Sequence, residues 1–131
     1  MTAFLVDLQN KPGSLATLAE ALGKQGVNIT GITGATCGDS GRAAITTADD
    51  AATRSVLHTL KTSFKEYEVT EASIANKPGA FGAVARRLAD AGDNIEAIMP
   101  TGMSGNDMTV GFVTNNPTKA REVLATATAH R

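Results

Sequence analysis

Tryptophan is absent from the 131 residues, tyrosine occurs once, and aromatics make up 4% of the chain. A single-strand nucleic-acid binder stacks bases on aromatic side chains, so this scarcity argues against that class. Twelve basic residues stand against thirteen acidic ones, for a formal charge of -1, and no run of like charge occurs. Such a balance gives no footprint for a polyanion. Cysteine is limited to Cys37, which excludes an internal disulfide and suits a reducing compartment. The start, MTAFLVDLQNKPG, has no basic segment and only a short apolar stretch before Asp7, unlike a signal peptide. No apolar run approaches the ~20 residues that span a bilayer. The expectation is a cytoplasmic protein with neither a membrane nor a nucleic-acid partner.

What the chain does have is a repetition. Asn10, Lys11, Pro12 and Gly13 return letter for letter as Asn76, Lys77, Pro78 and Gly79, 66 residues later. Sliding the sequence by that spacing also sets Leu15 on Phe81, Leu22 on Leu88, Gly26 on Gly92, and Asn28 and Ile29 on Asn94 and Ile95. Self-similarity at a fixed period marks two copies of one structural unit. Roughly 60 residues make only a marginal core alone. The halves are therefore expected to pack on each other or on a second chain.

In each copy the apolar positions run i, i+3, i+4, i+7, at 15, 18, 19, 22 and at 81, 84, 85, 88. That is the stripe of an amphipathic helix, with proline in its first turn and Gly26 or Gly92 at its end. Strands are expected at Ala3 to Leu8, where Phe4, Val6 and Leu8 share a face, and at Glu68 to Ala75. Two hairpins follow: Asn28 to Thr36 with Arg42 to Thr47, and Asn94 to Thr101 with Met108 to Thr114. Second helices carry Val56, Leu57, Leu60 and Phe64 after an Asp49/Asp50 cap, and Ala120, Val123, Leu124 and Ala127 after Asn116 and Pro117.

Strand, helix, strand, strand, helix, with a closing strand from about Lys65, is the α+β ferredoxin-like βαββαβ order: an antiparallel sheet with both helices on one face. Right-handed crossovers place the first strand centrally, the last beside it and the second at the opposite edge. The modules divide as 1–66 and 67–131. The second copy lacks its own last strand, and a strand over 67–75 is expected to be shared by both halves in a continuous sheet.

The repeated tetrapeptide lies between a strand and a helix start, where backbone N–H groups lack intrahelical partners and the dipole favours an anion. A carboxylate suits that corner. Gly13 and Gly79 leave room for close approach, Lys11 and Lys77 bring a positive charge, and Asn10 and Asn76 can donate to a carboxylate or accept from an ammonium. The same tetrapeptide is also good turn chemistry, but its recurrence with a downstream Gly-x-Asn-Ile favours binding.

Other candidates carry less. His58 lies between apolar positions of the second helix and His130 near the end, with no His/Cys/Asp/Glu cluster at ligand spacing, so no metal is expected. Cys37 has only Arg42 near it in sequence, too little to activate a thiol. Arg86 and Arg87 face away from their helix stripe. Gly102 to Gly105 precedes a strand instead of a helix, which makes a poor phosphate cradle. No Gly-x-Ser-x-Gly and no paired catalytic carboxylates occur. The chain is not expected to be an enzyme, and no cofactor is implied.

NKPGSLATLAEALGKQGVNI and NKPGAFGAVARRLADAGDNI both resemble the ACT domain, a ferredoxin-like module that binds amino acids and regulates metabolic enzymes. The resemblance rests on Asn-x-Pro-Gly, the helical stripe and Gly-x-Asn-Ile, and it covers essentially the whole chain. It implies a ligand held between the first loop of one module and the second strand of a facing one. The loop contacts would be Asn10, Lys11, Pro12, Gly13 and Ser14, and Asn76, Lys77, Pro78, Gly79 and Ala80. Asn28 with Ile29, and Asn94 with Ile95, would supply the facing strand. Free second-strand edges further predict a homodimer.

Three functions follow in order of support: a non-catalytic amino-acid sensor, a regulatory subunit of a separate enzyme similar to the acetolactate synthase small subunit, and a small ferredoxin-like enzyme. Ser14 against Ala80 and Leu15 against Phe81 make the loops unequal, so different affinities are expected.

Overall fold

A left-handed glycine begins the first helix of each repeat and another ends it. The computed structural model describes residues 1–129, with side chains through residue 125. Its elements are β1 (Thr2–Gln9), α1 (Ser14–Lys24), β2 (Ile29–Cys37), β3 (Ser40–Thr47), α2 (Asp50–Thr59), β4 (Phe64–Glu68), β5 (Thr70–Ala75), α3 (Ala80–Asp90), β6 (Ile95–Ser104), β7 (Asp107–Thr114) and α4 (Pro117–Ala129). The chain forms two compact units, Thr2–Tyr67 and Glu68–Arg131 together with Met1.

The first unit is a four-stranded sheet in the order β2-β3-β1-β4, the predicted ferredoxin-like arrangement. Asp7 N–H bonds the Ser63 carbonyl and Val69 N–H the Met1 carbonyl. The index rises on one side as it falls on the other, so β4 runs antiparallel to β1. Phe4, Val6 and Ile45 of the sheet pack with Leu18 and Leu22 of α1 and Leu57 of α2. Both helices therefore cover one face. Asp49 caps α2 by accepting from the Ala52 amide at 3.0 Å.

The second unit repeats the plan with three strands, β5-β7-β6. Ile74 and Phe112 of its sheet pack with Val84 and Leu88 of α3 and Ala120 and Leu124 of α4. Among the described residues no strand closes the far side of β5, as expected. Asn116 caps α4 through the Lys119 amide. Asp93, buried where the first copy has Val27, accepts from the Asn116 N–H at 3.0 Å.

Three local expectations are corrected. The anticipated single strand over 67–75 is split at Val69: residues to Glu68 belong to the first sheet and those from Thr70 to the second. Val69 turns its N–H to Met1, and its side chain lies over Gly111. Phe64 does not continue α2, which stops at Thr59, but opens β4. Lys61, in the left-handed region at φ 56, and the Thr62 N–H bonded to the Leu57 carbonyl end that helix, the 6→1 closure of a Schellman motif. Pro12 and Pro78 precede the helices, whose N-caps are Gly13 and Gly79. The Ala127 side chain and all of His130 lie outside the described residues.

Arg54 of α2 forks onto the Glu66 carboxylate of β4, with N···O distances of 2.7 and 2.6 Å. This hydrogen bonding holds Glu66 below its ordinary carboxylate range and raises Arg54 further.

Candidate functional site

The two turns have the same backbone. Lys11 N–H bonds the Gln9 carbonyl at 2.9 Å and Ser14 N–H the Lys11 carbonyl at 3.3 Å; Lys77 and Ala75, then Ala80 and Lys77, repeat both distances. Gly13 sits at φ 90, ψ -12 and Gly79 at φ 85, ψ -14. A side chain is strained at such angles. A Cβ there would meet nothing within 4 Å, so backbone conformation, not crowding, requires glycine.

Neither helix start has a side-chain cap. Thr17 N–H reaches the Gly13 carbonyl and Ala83 N–H the Gly79 carbonyl. The Leu15 and Ala16 amides, and the Phe81 and Gly82 amides, have no hydrogen-bond partner among the described residues. Each turn therefore presents two unsatisfied donors at the positive end of an eleven-residue helix, the local chemistry that takes a carboxylate.

Asn10 is tied across to the β2–β3 hairpin: its side-chain Nδ2 donates to the Gly38 carbonyl at 2.9 Å and its N–H to the Asp39 carbonyl at 3.0 Å. No such bond holds Asn76 among the described residues. Asn28 and Ile29 stand elsewhere. Ser40 pairs with Gln9 beside the turn, whereas Ile29 pairs with Thr47 at the other end of β3, about 23 Å away at ~3.3 Å per residue. Asn94 and Ile95 likewise sit opposite Thr114, while the hairpin end of β7 pairs with Ala75. Loop and Gly-x-Asn-Ile segment are thus not brought together within a module.

What does lie beside the first turn is a cavity of about 490 Å³ between the start of α1 and the outer half of β2. Its walls include Leu8, Leu15, Ile32 and Ala43, with Gln9, Ser14, Thr33, Thr36 and Arg42 as the polar residues. Arg42 Nε donates to Asp7 Oδ1 at 3.0 Å, an exposed pair. A second, open groove of about 920 Å³ adjoins it, reached by Lys11, Cys37 and Lys61. Cys37 is exposed, and no group of three or more potential metal ligands occurs among the described residues.

Ile32, Gly34 and Arg42 were not singled out by sequence reasoning as site residues, and Leu15 only as a difference between the two loops. Leu15 and Phe81 were read as core positions of their stripes, yet they are 47% and 36% exposed, and Ile32 and Ile98 are 44% and 41% exposed. Their equivalence at a spacing of 66 is the signal that could have found them. An apolar pair that stays exposed in both copies belongs to a surface.

No helix among the described residues is long and apolar enough to cross a membrane. No curated protein matches the chain. Among solved structures, a protein from Bacteroides thetaiotaomicron aligns with 95% of this chain and 86% of its own, at 26% identity and a TM-score of 0.78. The regulatory subunit of aspartate kinase from Thermus thermophilus aligns over 96% and 91%, at 19% identity and a TM-score of 0.63. Aspartate kinase from Synechocystis matches 98% of this chain with 25% of its own, at 16% identity and a TM-score of 0.69. These likenesses confirm the fold. The model of the ACT domain matches residues 2–65, so the first module belongs to the ACT domain family.

Proposed function

We propose that this chain is a non-catalytic, cytoplasmic regulatory protein that senses a free amino acid. The observation that carries this reading is the repeated turn, which twice ends in a left-handed glycine and leaves two unpartnered amides at a helix start. The ligand carboxylate meets those amides, with Lys11 or Lys77 adding positive charge. The first module's membership of the ACT family supports the same role.

Asn10 to Ser14 and Asn76 to Ala80 serve as loop contacts. Because Asn28, Ile29, Asn94 and Ile95 stand at the far ends of their own sheets, a facing module must present them. β2 and β6 are sheet edges, and an exposed edge invites pairing. The protein therefore acts as a homodimer of two-module chains, 1–66 and 67–131, whose sites are completed across an interface. Binding then shifts assembly or surface, which is how the signal leaves the domain. A monomer by light scattering at high concentration contradicts this part.

A second reading makes the chain a regulatory subunit of a separate amino-acid biosynthetic enzyme. Its support is the fold shared, over most of both chains, with a regulatory subunit of aspartate kinase. Recovery of one stoichiometric catalytic partner selects it.

A thermal-shift panel of the twenty amino acids tests the sensing role. Ligand at 100 times its Kd adds about 2.7 kcal/mol of stability, so at least one member raises the Tm by several degrees. A flat panel rejects it.

A further inference from the structure

The sheet registers fix which residues of the two modules are equivalent around the first module's cavity. Leu8 pairs with Gly41 as Ile74 pairs with Met108, and Gly34 pairs with Ala43 as Pro100 pairs with Val110. Ile32 faces Ile45 as Ile98 faces Phe112. The spacing is 66 up to Pro100 and 67 from Met108 onward, the extra residue being taken up by the register shift between Pro100 and Gly102.

On this map four cavity-lining positions become larger, while Leu8 and Ile32 keep their size as Ile74 and Ile98, and Gln9, Ala35 and Arg42 become the smaller Ala75, Gly102 and Thr109. Leu15 becomes Phe81, Gly34 becomes Pro100, Gly41 becomes Met108 and Ala43 becomes Val110. Each of these four exchanges adds carbon. Two of the added groups find packing partners: the Phe81 ring, though 36% exposed, stacks on Phe112 with centroids 6.1 Å apart and planes 17° apart, and Met108 lies against the second core; Pro100 is exposed. The polar groups are lost in parallel. Ser14 becomes Ala80, and on the sheet face away from the helices the Asp7–Arg42 ion pair becomes Ser73 opposite Thr109. The first module keeps an open space with mostly carbon walls and the Ser14 hydroxyl beside them. In the second module Phe81 and Met108 take up part of the equivalent place.

We infer that the chain takes one ligand, not two: an amino acid with an aliphatic side chain, seated in the first module's cavity between Leu15 and Ile32, while the second module keeps the turn but narrows the pocket with Phe81 and Met108. A space of several hundred cubic ångströms with mostly apolar walls and a few polar groups is the form a small-molecule site takes. The proposal rests on the amino-acid-sensing role and assigns it to one half of the repeat.

Isothermal titration of the full chain with L-valine, L-leucine and L-isoleucine is the test. The result expected is one equivalent per chain for the tightest of the three. Leu15→Phe, which copies the second module, weakens it at least tenfold, and Phe81→Leu leaves affinity and stoichiometry unchanged. Since Leu15→Phe adds bulk near the helix start, the smaller pair Ile32→Thr and Ile98→Thr repeats the test at exposed positions, only the first weakening binding. Two equivalents in the unaltered chain, or loss of binding on Phe81→Leu or Ile98→Thr but not on Leu15→Phe or Ile32→Thr, overturn the assignment and leave amino-acid sensing intact. Binding only of amino acids outside the aliphatic panel overturns the ligand class. Silence of all twenty amino acids overturns the sensing role and this inference with it.

Discussion

The Asn10 side chain donates to the Gly38 carbonyl at 2.9 Å, latching the start of the first turn to the tip of the β2–β3 hairpin. The second module has the same asparagine without the latch, its hairpin strand carrying an additional register shift between Pro100 and Gly102. One turn is braced and its copy is not. Asn10→Ala should therefore cost at most about 1 kcal/mol, the net worth of an ordinary hydrogen bond, and should speed hydrogen exchange of the Asn10 and Ser40 amides. Asn76→Ala should leave both stability and exchange near the parent values. Equal effects at the two sites would show that the latch does not distinguish the turns.

Gly13 and Gly79 test whether both turns need the left-handed conformation. A Cβ has open space at each, so the penalty of Gly13→Ala or Gly79→Ala is backbone strain alone, about 1–2 kcal/mol. Urea unfolding should show similar losses for the two variants. A neutral Gly13→Ala would mean that the turn relaxes to another conformation.

Gly111 presents the opposite case. Its backbone is not in the left-handed region, yet a Cβ there would stand 2.7 Å from Val69 Cγ1, 3.3 Å from Thr101 Cγ2 and 3.4 Å from Met99 Cγ. Gly111→Ala should destabilise by about 1–3 kcal/mol through overpacking. Val69→Ala in the same chain should relieve part of that loss, and strict additivity of the two substitutions would contradict the contact.

Acid should weaken the tie between α2 and β4. Glu66 has its folded pKa lowered by Arg54, so its contribution is present above the unfolded value of about 4.3 and is lost as pH falls through the folded one. Glu66→Gln should lower the urea midpoint at neutral pH, and the gap from the parent should close below about pH 4. A gap that does not change with pH would show that the pair contributes no proton linkage.

The element order was legible because Phe4, Val6, Leu18, Leu22, Val84 and Leu88 follow simple periodicities and are buried as those periods require. Strand order followed from connection handedness, with β1 inside and β2 at the edge. The break at Val69 was not legible, since nine extended residues look alike whether they serve one sheet or two; only the partners of Val69 and Thr70, Met1 and Phe112, separate the cases. Phe64 was drawn into α2 by the spacing from Leu60, because a core-facing strand residue and a helical stripe can share a period over so few positions. Within the candidate site, the turns were readable from their recurrence. The cavity was not, because Leu15 satisfies a helical stripe on paper yet is left 47% exposed at the helix start, across the cavity from β2.

Amide chemical-shift mapping during titration of the uniformly labelled chain with the amino acid that most raises its Tm examines the binding turn itself. Amino-acid sensing through this turn predicts saturable shifts concentrated at Ser14, Leu15, Ala16 and Thr17, with the unpartnered Leu15 and Ala16 amides moving most. Shifts that avoid both Asn-Lys-Pro-Gly turns, or none with any of the twenty amino acids, would contradict it.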